Sequence, residues 1–156
     1  MVELQSVLKI LTVTSFGLMA GIYFIFSNTI MNTFAEIPAK QAAETMTEIN
    51  RVILNPFFFI LFWGSGVGAC FVLANFILKG ESLTLALGSL IFLTGSVFVT
   101  LLVNVPLNKK LESIVCSNKN VVDFWKIYLI KWARWNHVRT ICTSIGFVFY
   151  LTDIVV

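Results

Sequence analysis

Residues 10–35, 52–78 and 82–108 each pass without a charged side chain. An α-helix needs roughly 20 apolar residues to cross a 30 Å hydrocarbon core, so each run reads as a membrane span. A fourth apolar run, 140–152, is too short by itself. Its helix must reach back through 132–139 or on past Asp153, which makes its entry polar and aromatic. The pattern predicts an all-α fold, an integral membrane four-helix bundle with spans near 7–33, 53–78, 83–106 and 132–155, forming one transmembrane domain over 1–156. Short amphipathic helices are expected in the first and third loops. In the first loop, Pro38 sits where a helix can begin, and Ala42, Met46, Ile49 and Ile53 then recur on one helical face. Asn55 before Pro56 suits an N-cap and first turn that restart the chain as the second span. Trp125, Tyr128, Trp132 and Trp135 recur every three or four residues and make an aromatic stripe on the helix leading into the fourth span.

Composition agrees with this pattern. Hydrophobic residues make up 58% and charged ones 12%, against roughly a quarter charged in an ordinary globular domain. The net charge of +3 is read as topology, not as a nucleic-acid footprint, because the basic residues cluster between the spans. The third loop holds Lys109, Lys110, Lys119, Lys126, Lys131 and Arg134, the first adds Lys40 and Arg51, and the other side has little beyond Lys9 and Lys79. A multi-pass protein of the cell membrane is expected, with the first and third loops cytoplasmic and both termini outside. The first apolar stretch runs too long for a cleaved signal and is expected to remain as a span. Gly17 with Gly21 and Gly64 with Gly68 form GxxxG pairs that suit close helix packing.

Polar side chains at membrane depth are costly and mark function. Here they are mostly asparagines. Asn50, Asn55, Asn104, Asn108 and Asn136, with His137 and Arg139, lie near the ends of their helices on one side of the membrane, and Asn28 and Asn32 could complete the ring. Each has a plainer role open to it. Asn55 can be only a cap, and Asn104 and Asn108 can satisfy backbone groups freed by Pro106. Arg139 can reach to headgroups or hold a lipid phosphate. The aromatic stripe can be an interfacial belt or a ligand-stacking wall. His137, the single histidine, is either the titrating group of a site or a structural residue.

One histidine excludes a haem held by two within the chain, and metal sites built on histidines and carboxylates lack their ligands. Cys70, Cys116 and Cys142 share no CxxC spacing, so neither a disulfide framework, a zinc site nor a thiol relay is supported. The first three uncharged runs carry no mid-membrane acid for a proton-coupled exporter. Binding of an apolar molecule, or acid/base chemistry on one, is left.

Four segments carry a resemblance: GIYFIFSN at 21–28, EINRVILNPF at 48–57, NVPLN at 104–108 and WKIYLIKWARWNHVRT at 125–140. Together they resemble the anthrone oxygenase-like family, the most specific element being the WxxWNHxRT ending. The resemblance implies a monooxygenase, an oxidoreductase that converts an anthrone-like, polyketide-like aromatic to a quinone with molecular oxygen as co-substrate and no other cofactor. It implies His137 as the base that removes a proton from an acidified methylene. Asn50, Asn108 and Asn136 would hydrogen-bond the substrate oxygens, Arg139 would favour the anion, and Trp132 with Trp135 would hold the rings. Trp125, Tyr128, Asn55 and Asn28 complete the expected substrate site, with no metal. Two other readings stay open, the first of them using the same residues. One is a non-catalytic binder of a lipid, quinone or aromatic small molecule. The other is a small structural subunit, in which packing of Phe57, Phe58, Phe59 and Trp63 fills the interior. The oligomeric state stays open, with a homo-oligomer or a metal shared between subunits both compatible.

Overall fold

The computed structural model describes residues 2–80 and 82–155, with side chains from residue 6 onward. Helix α1 runs as Val2–Ile25, widens through the π-helical turn Phe26–Ile30 and continues as Met31–Glu36. A short helix, α2 (Ala39–Val52), leads to α3 (Pro56–Lys79). Helix α4 runs Leu83–Phe92, passes through two π-helical segments, Leu93–Phe98 and Thr100–Asn104, and ends as Val105–Ser117. The last helix is α5 (Val121–Val155). Four of these, α1, α3, α4 and α5, are long and apolar enough to cross a membrane. Sequential spans are spatial neighbours, and α5 closes the ring against α1.

Length sets the shape. At 1.5 Å per residue the 24 residues of α3 cover about 36 Å, while the 35 of α5 cover about 52 Å. The core reflects this difference in two separate clusters. One joins α1, α3, α4 and α5 through Phe16, Met19, Phe62, Ala69, Leu85, Phe92 and Tyr150. The other has no residue of α3. In it α2 takes the place of that span, setting Ala42, Ala43 and Met46 against Phe34, Leu111, Phe124, Trp125 and Tyr128. The amphipathic first-loop helix therefore caps a bundle whose other three members outrun α3. The amphipathic segments expected in the third loop are continuous with the ends of α4 and α5, which meet in a turn where Asn118 and Asn120 adopt positive φ.

Asn55 caps α3 by accepting from the Phe58 amide at 3.1 Å. Phe57, Phe59 and Trp63 are exposed, so they face outward and do not fill the interior as the structural-subunit reading requires. At the opposite end of the bundle, the Lys9 ammonium pairs with Asp153 at 3.2 Å and the Ser82 hydroxyl donates to the same carboxylate, tying α1, α4 and α5 together.

The backbone-to-backbone helix contact lies elsewhere than the expected glycine pairs. A Cβ on Gly146 would stand 3.0 Å from the Gly88 carbonyl oxygen, so α4 and α5 touch backbone to backbone. Gly17 and Gly68 do meet Phe147 and Thr12, but Gly21 and Gly64 face open space, and neither GxxxG pair works as a unit.

Candidate functional site

Between the two apolar clusters lies a buried polar layer, organised by two asparagines. The Asn136 side-chain amide donates to the Tyr23 carbonyl at 2.8 Å and to Ser27 Oγ at 2.7 Å. Its carbonyl accepts from Arg139 Nη2 at 2.6 Å. One side chain thus joins α1 to α5 and orients a guanidinium. The wide turn Phe26–Ile30 falls at this contact on α1 and includes Ser27, in keeping with the tendency of π-turns to occur where a helix adapts to a site. Ser27 also shares a hydrogen bond with Thr140 at 3.0 Å.

Arg139 is buried, 6% exposed. Its Nη1 donates to Thr100 Oγ1 at 3.2 Å, and its guanidinium carbon lies 4.4 Å from the Tyr23 ring centroid and 5.1 Å from that of Trp132. Among the described residues it has no carboxylate partner; the ion pairs there are Lys9 with Asp153 and Arg51 with Glu48. Arg139 Nε has no hydrogen-bond acceptor.

One turn nearer the loops, Asn108 is the second hub. Its carbonyl accepts from the Tyr128 hydroxyl and the Trp132 indole N–H, both at 2.8 Å, and its amide donates to Asn50 Oδ1 at 3.0 Å. The Trp132 ring is thereby fixed edge-on. Asn104 bonds the Trp132 carbonyl at 3.5 Å. Neither Asn104 nor Asn108 serves the backbone around Pro106, as the sequence allowed; the π-helical segment before that proline accompanies its missing N–H instead.

These residues surround a cavity of about 280 Å³. Arg139, Thr100 and Asn104 lie at its inner end, Ile22, Tyr23, Phe26, Phe58 and Trp132 form its walls, and Asn50 with Asn108 sits above them. Arg51, Leu54, Lys109 and Glu112 stand at the exposed mouth, where α2 hands over to α3. The Glu48 carboxylate hydrogen-bonds Arg51 at 2.6 Å and pushes that guanidinium further above its ordinary value. Three buried polar atoms on residues that line the cavity lack a protein partner: Asn50 Nδ2, Asn104 Oδ1 and Arg139 Nε. Each such orphan costs about 1–3 kcal/mol, so a cluster of them beside one cavity makes it the candidate site for a ligand able to supply the missing bonds.

Of the residues singled out from sequence, Asn50, Asn104, Asn108, Trp132 and Arg139 line the cavity, and Asn136 and Tyr128 hold that set in place. The others lie apart. His137 is exposed on the outward face of α5, with Ile130 and Ile141, and does not line the cavity. Trp135 is 41% exposed on another outward face. Trp125 is buried but stacks on Tyr128 at 5.4 Å as part of the core. Asn55 is the cap described above, and Asn28 is exposed, as is Asn32, which bonds back to the Asn28 carbonyl. Tyr23, Ser27, Thr100 and Glu112 escaped the sequence reading. Tyr23 and Ser27 stand one helical turn apart in an apolar run, which was the available signal.

A membrane bundle with an arginine-floored, aromatic-walled cavity is therefore the class of protein that fold and site define. The family model for anthrone oxygenase matches residues 45–149, about two-thirds of the chain, and the chain belongs to that family. The matched segment begins within α2 and ends within α5, and leaves α1, with its contributions from Tyr23 and Ser27, outside. No curated protein and no solved structure matches the chain.

Proposed function

We propose that this protein is a membrane-embedded oxygenase for a planar aromatic molecule of anthrone type, one presenting an acidified C–H conjugated to a carbonyl or phenol oxygen, with molecular oxygen as co-substrate. Arg139 carries this reading: a buried guanidinium without a carboxylate, at the end of a cavity walled by aromatic rings. An unbalanced charge in such surroundings costs several kcal/mol, and a substrate that ionises there supplies the counter-charge. The same field favours the deprotonated substrate over the neutral one, which lowers the barrier to losing the C–H proton.

The family context and the cavity's dimensions support the rest. The developing oxyanion is placed against Arg139, with the amide of Asn50 as second donor. Trp132, locked by Asn108, and Phe58 flank the rings. Glu112 is the carboxylate lining the cavity and the proposed proton acceptor. Oxygen then adds at the carbanionic carbon. Overall the methylene loses two hydrogens and gains one oxygen atom as a carbonyl, and the second oxygen atom leaves with those hydrogens as water. No further cofactor is invoked. A volume of about 280 Å³ is near the lower end of small-molecule sites, roughly 300–1,000 Å³, and suits a few fused rings better than a two-chain lipid.

The test is oxygen uptake and quinone formation with a hydroxylated anthrone. Arg139→Gln should lower turnover about a hundredfold, Arg139→Lys should recover only part of it because an ammonium lacks the planar fork, and His137→Ala should stay within about twofold of the parent. Undiminished turnover in a folded Arg139→Gln protein would overturn the proposal. A second reading, a binder of the same class of molecule without turnover, is favoured by the position of Glu112 at the exposed mouth instead of the cavity's inner end. Saturable binding with no oxygen uptake by the parent protein would select it.

A further inference from the structure

The displacement of Trp135 from the cavity leaves it in a different setting. It lines a groove of about 510 Å³ on the outer surface between α4 and α5, together with Leu102, Val103, Lys110, Lys131 and Arg134. Both helices order these residues alike. On α4, Lys110 lies two turns closer to the loop end than Leu102, about 12 Å along the axis. On α5, Lys131 lies one turn closer to the loop end than Trp135. The groove is thus cationic toward the loop end through Lys110 and Lys131 and apolar and aromatic at the other end, with Arg134 at the level of Trp135 where the two parts meet.

Neither carboxylates nor packing account for the three cations. The ion pairs among the described residues involve none of them, and Lys110, Lys131 and Arg134 are all exposed. Lys110 lies 5.2 Å from the centre of the Phe124 ring, a contact that orients the ammonium and leaves its charge in place. Glu112, three residues from Lys109 and two from Lys110, lines the Arg139 cavity and is absent from this groove.

We infer that the groove is a binding site for one anionic glycerophospholipid from the surrounding leaflet. The phosphate and anionic headgroup lie among Lys110, Lys131 and Arg134, and the first acyl carbons run over Trp135, Leu102 and Val103. Charge complementarity selects the occupant: two uncompensated lysines toward the loop end, and Arg134 at the border with the apolar part, match a lipid that is anionic at one end. A peptide or soluble anion would leave the apolar half uncovered. The site is separate from the cavity of Arg139 and does not rest on the oxygenase proposal.

The full chain, purified in neutral detergent and offered phosphatidylglycerol or phosphatidylcholine, is followed by native mass spectrometry. The parent should retain one phosphatidylglycerol and release phosphatidylcholine. The triple variant Lys110→Gln, Lys131→Gln, Arg134→Gln should lose retention on the order of a hundredfold, from the contribution expected of three cations near a lipid surface. A control variant with Lys40→Gln, Lys119→Gln and Lys126→Gln carries the same change in net charge away from the groove and should bind like the parent. Should the two triple variants weaken binding equally, or should both lipids be held alike, the specific site is ruled out in favour of general surface attraction. The substituted side chains are all exposed, and equal melting temperatures of the two variants confirm that the comparison is of binding and not of folding.

Discussion

Asn136 holds Arg139 at 2.6 Å while reaching across to the backbone of Tyr23, so a single amide side chain fixes both a helix crossing and the direction of a buried cation. The position accepts little substitution. Asn136→Ala deletes three hydrogen bonds, one of them to a charged group. At about 1 kcal/mol each, and more for the charged one, the loss should be about 3–4 kcal/mol. Reversible denaturation in mixed micelles measures it. A change under 1 kcal/mol would show that the α1–α5 contact is held by packing alone.

His137→Ala separates the two possible sources of acid/base chemistry. The residue is exposed and lies outside the cavity. Its removal should change stability by less than about 0.5 kcal/mol and leave the pH profile of turnover unaltered. A lost limb in that profile would return the histidine to the mechanism.

Asn108→Leu keeps the branching at Cγ but removes the acceptor shared by Tyr128 and Trp132. Two buried donors are then stranded at about 1–3 kcal/mol each, and the Trp132 ring loses its anchor. Affinity for an aromatic ligand should fall about tenfold or more, read by equilibrium titration. Asn108→Asp restores an acceptor and should recover Trp132 orientation better than Asn108→Leu does, which near-ultraviolet circular dichroism reports.

Gly146→Val tests the backbone contact between α4 and α5. A side chain there meets the Gly88 carbonyl and the Phe16 ring, 3.2 Å from the added carbon. Overpacking of this kind costs about 1–3 kcal/mol, so thermal stability should drop clearly. Gly21→Ala and Gly64→Ala meet no atom within 4 Å and should be neutral, although they belong to the more conspicuous sequence motifs.

That contrast shows where sequence reading stopped. The first three spans were legible because an uncharged run longer than the bilayer core has no other stable home, and the α2 helix was legible because its apolar face repeats at helical spacing. The aromatic stripe was seen, but its partition was not. Tyr128, Trp132, Asn136 and Arg139 follow at spacings of four, four and three and share a face, whereas His137, one residue past Asn136, is turned about 100° away from it. Proximity in sequence to Asn136 made the histidine look like part of the site, and helical geometry removes it.

The sequence by itself determined that this is a four-span membrane protein, which loops carry its positive charge, and that its polar residues gather toward one end. These are properties of single segments and their solvent. Tertiary structure decided which polar groups face one another. The shortness of α3 beside α1, α4 and α5 opens a gap that α2 closes, and only that packing brings Asn50 against Asn108, sets Arg139 between Tyr23 and Trp132, and turns Trp135 outward beside three cations. Such pairings depend on the relative rotation of helices about their axes. That rotation is settled by side-chain packing and by the hydrogen bonds of Asn136 and Asn108 across helices, between residues 20 to 113 positions apart in the chain.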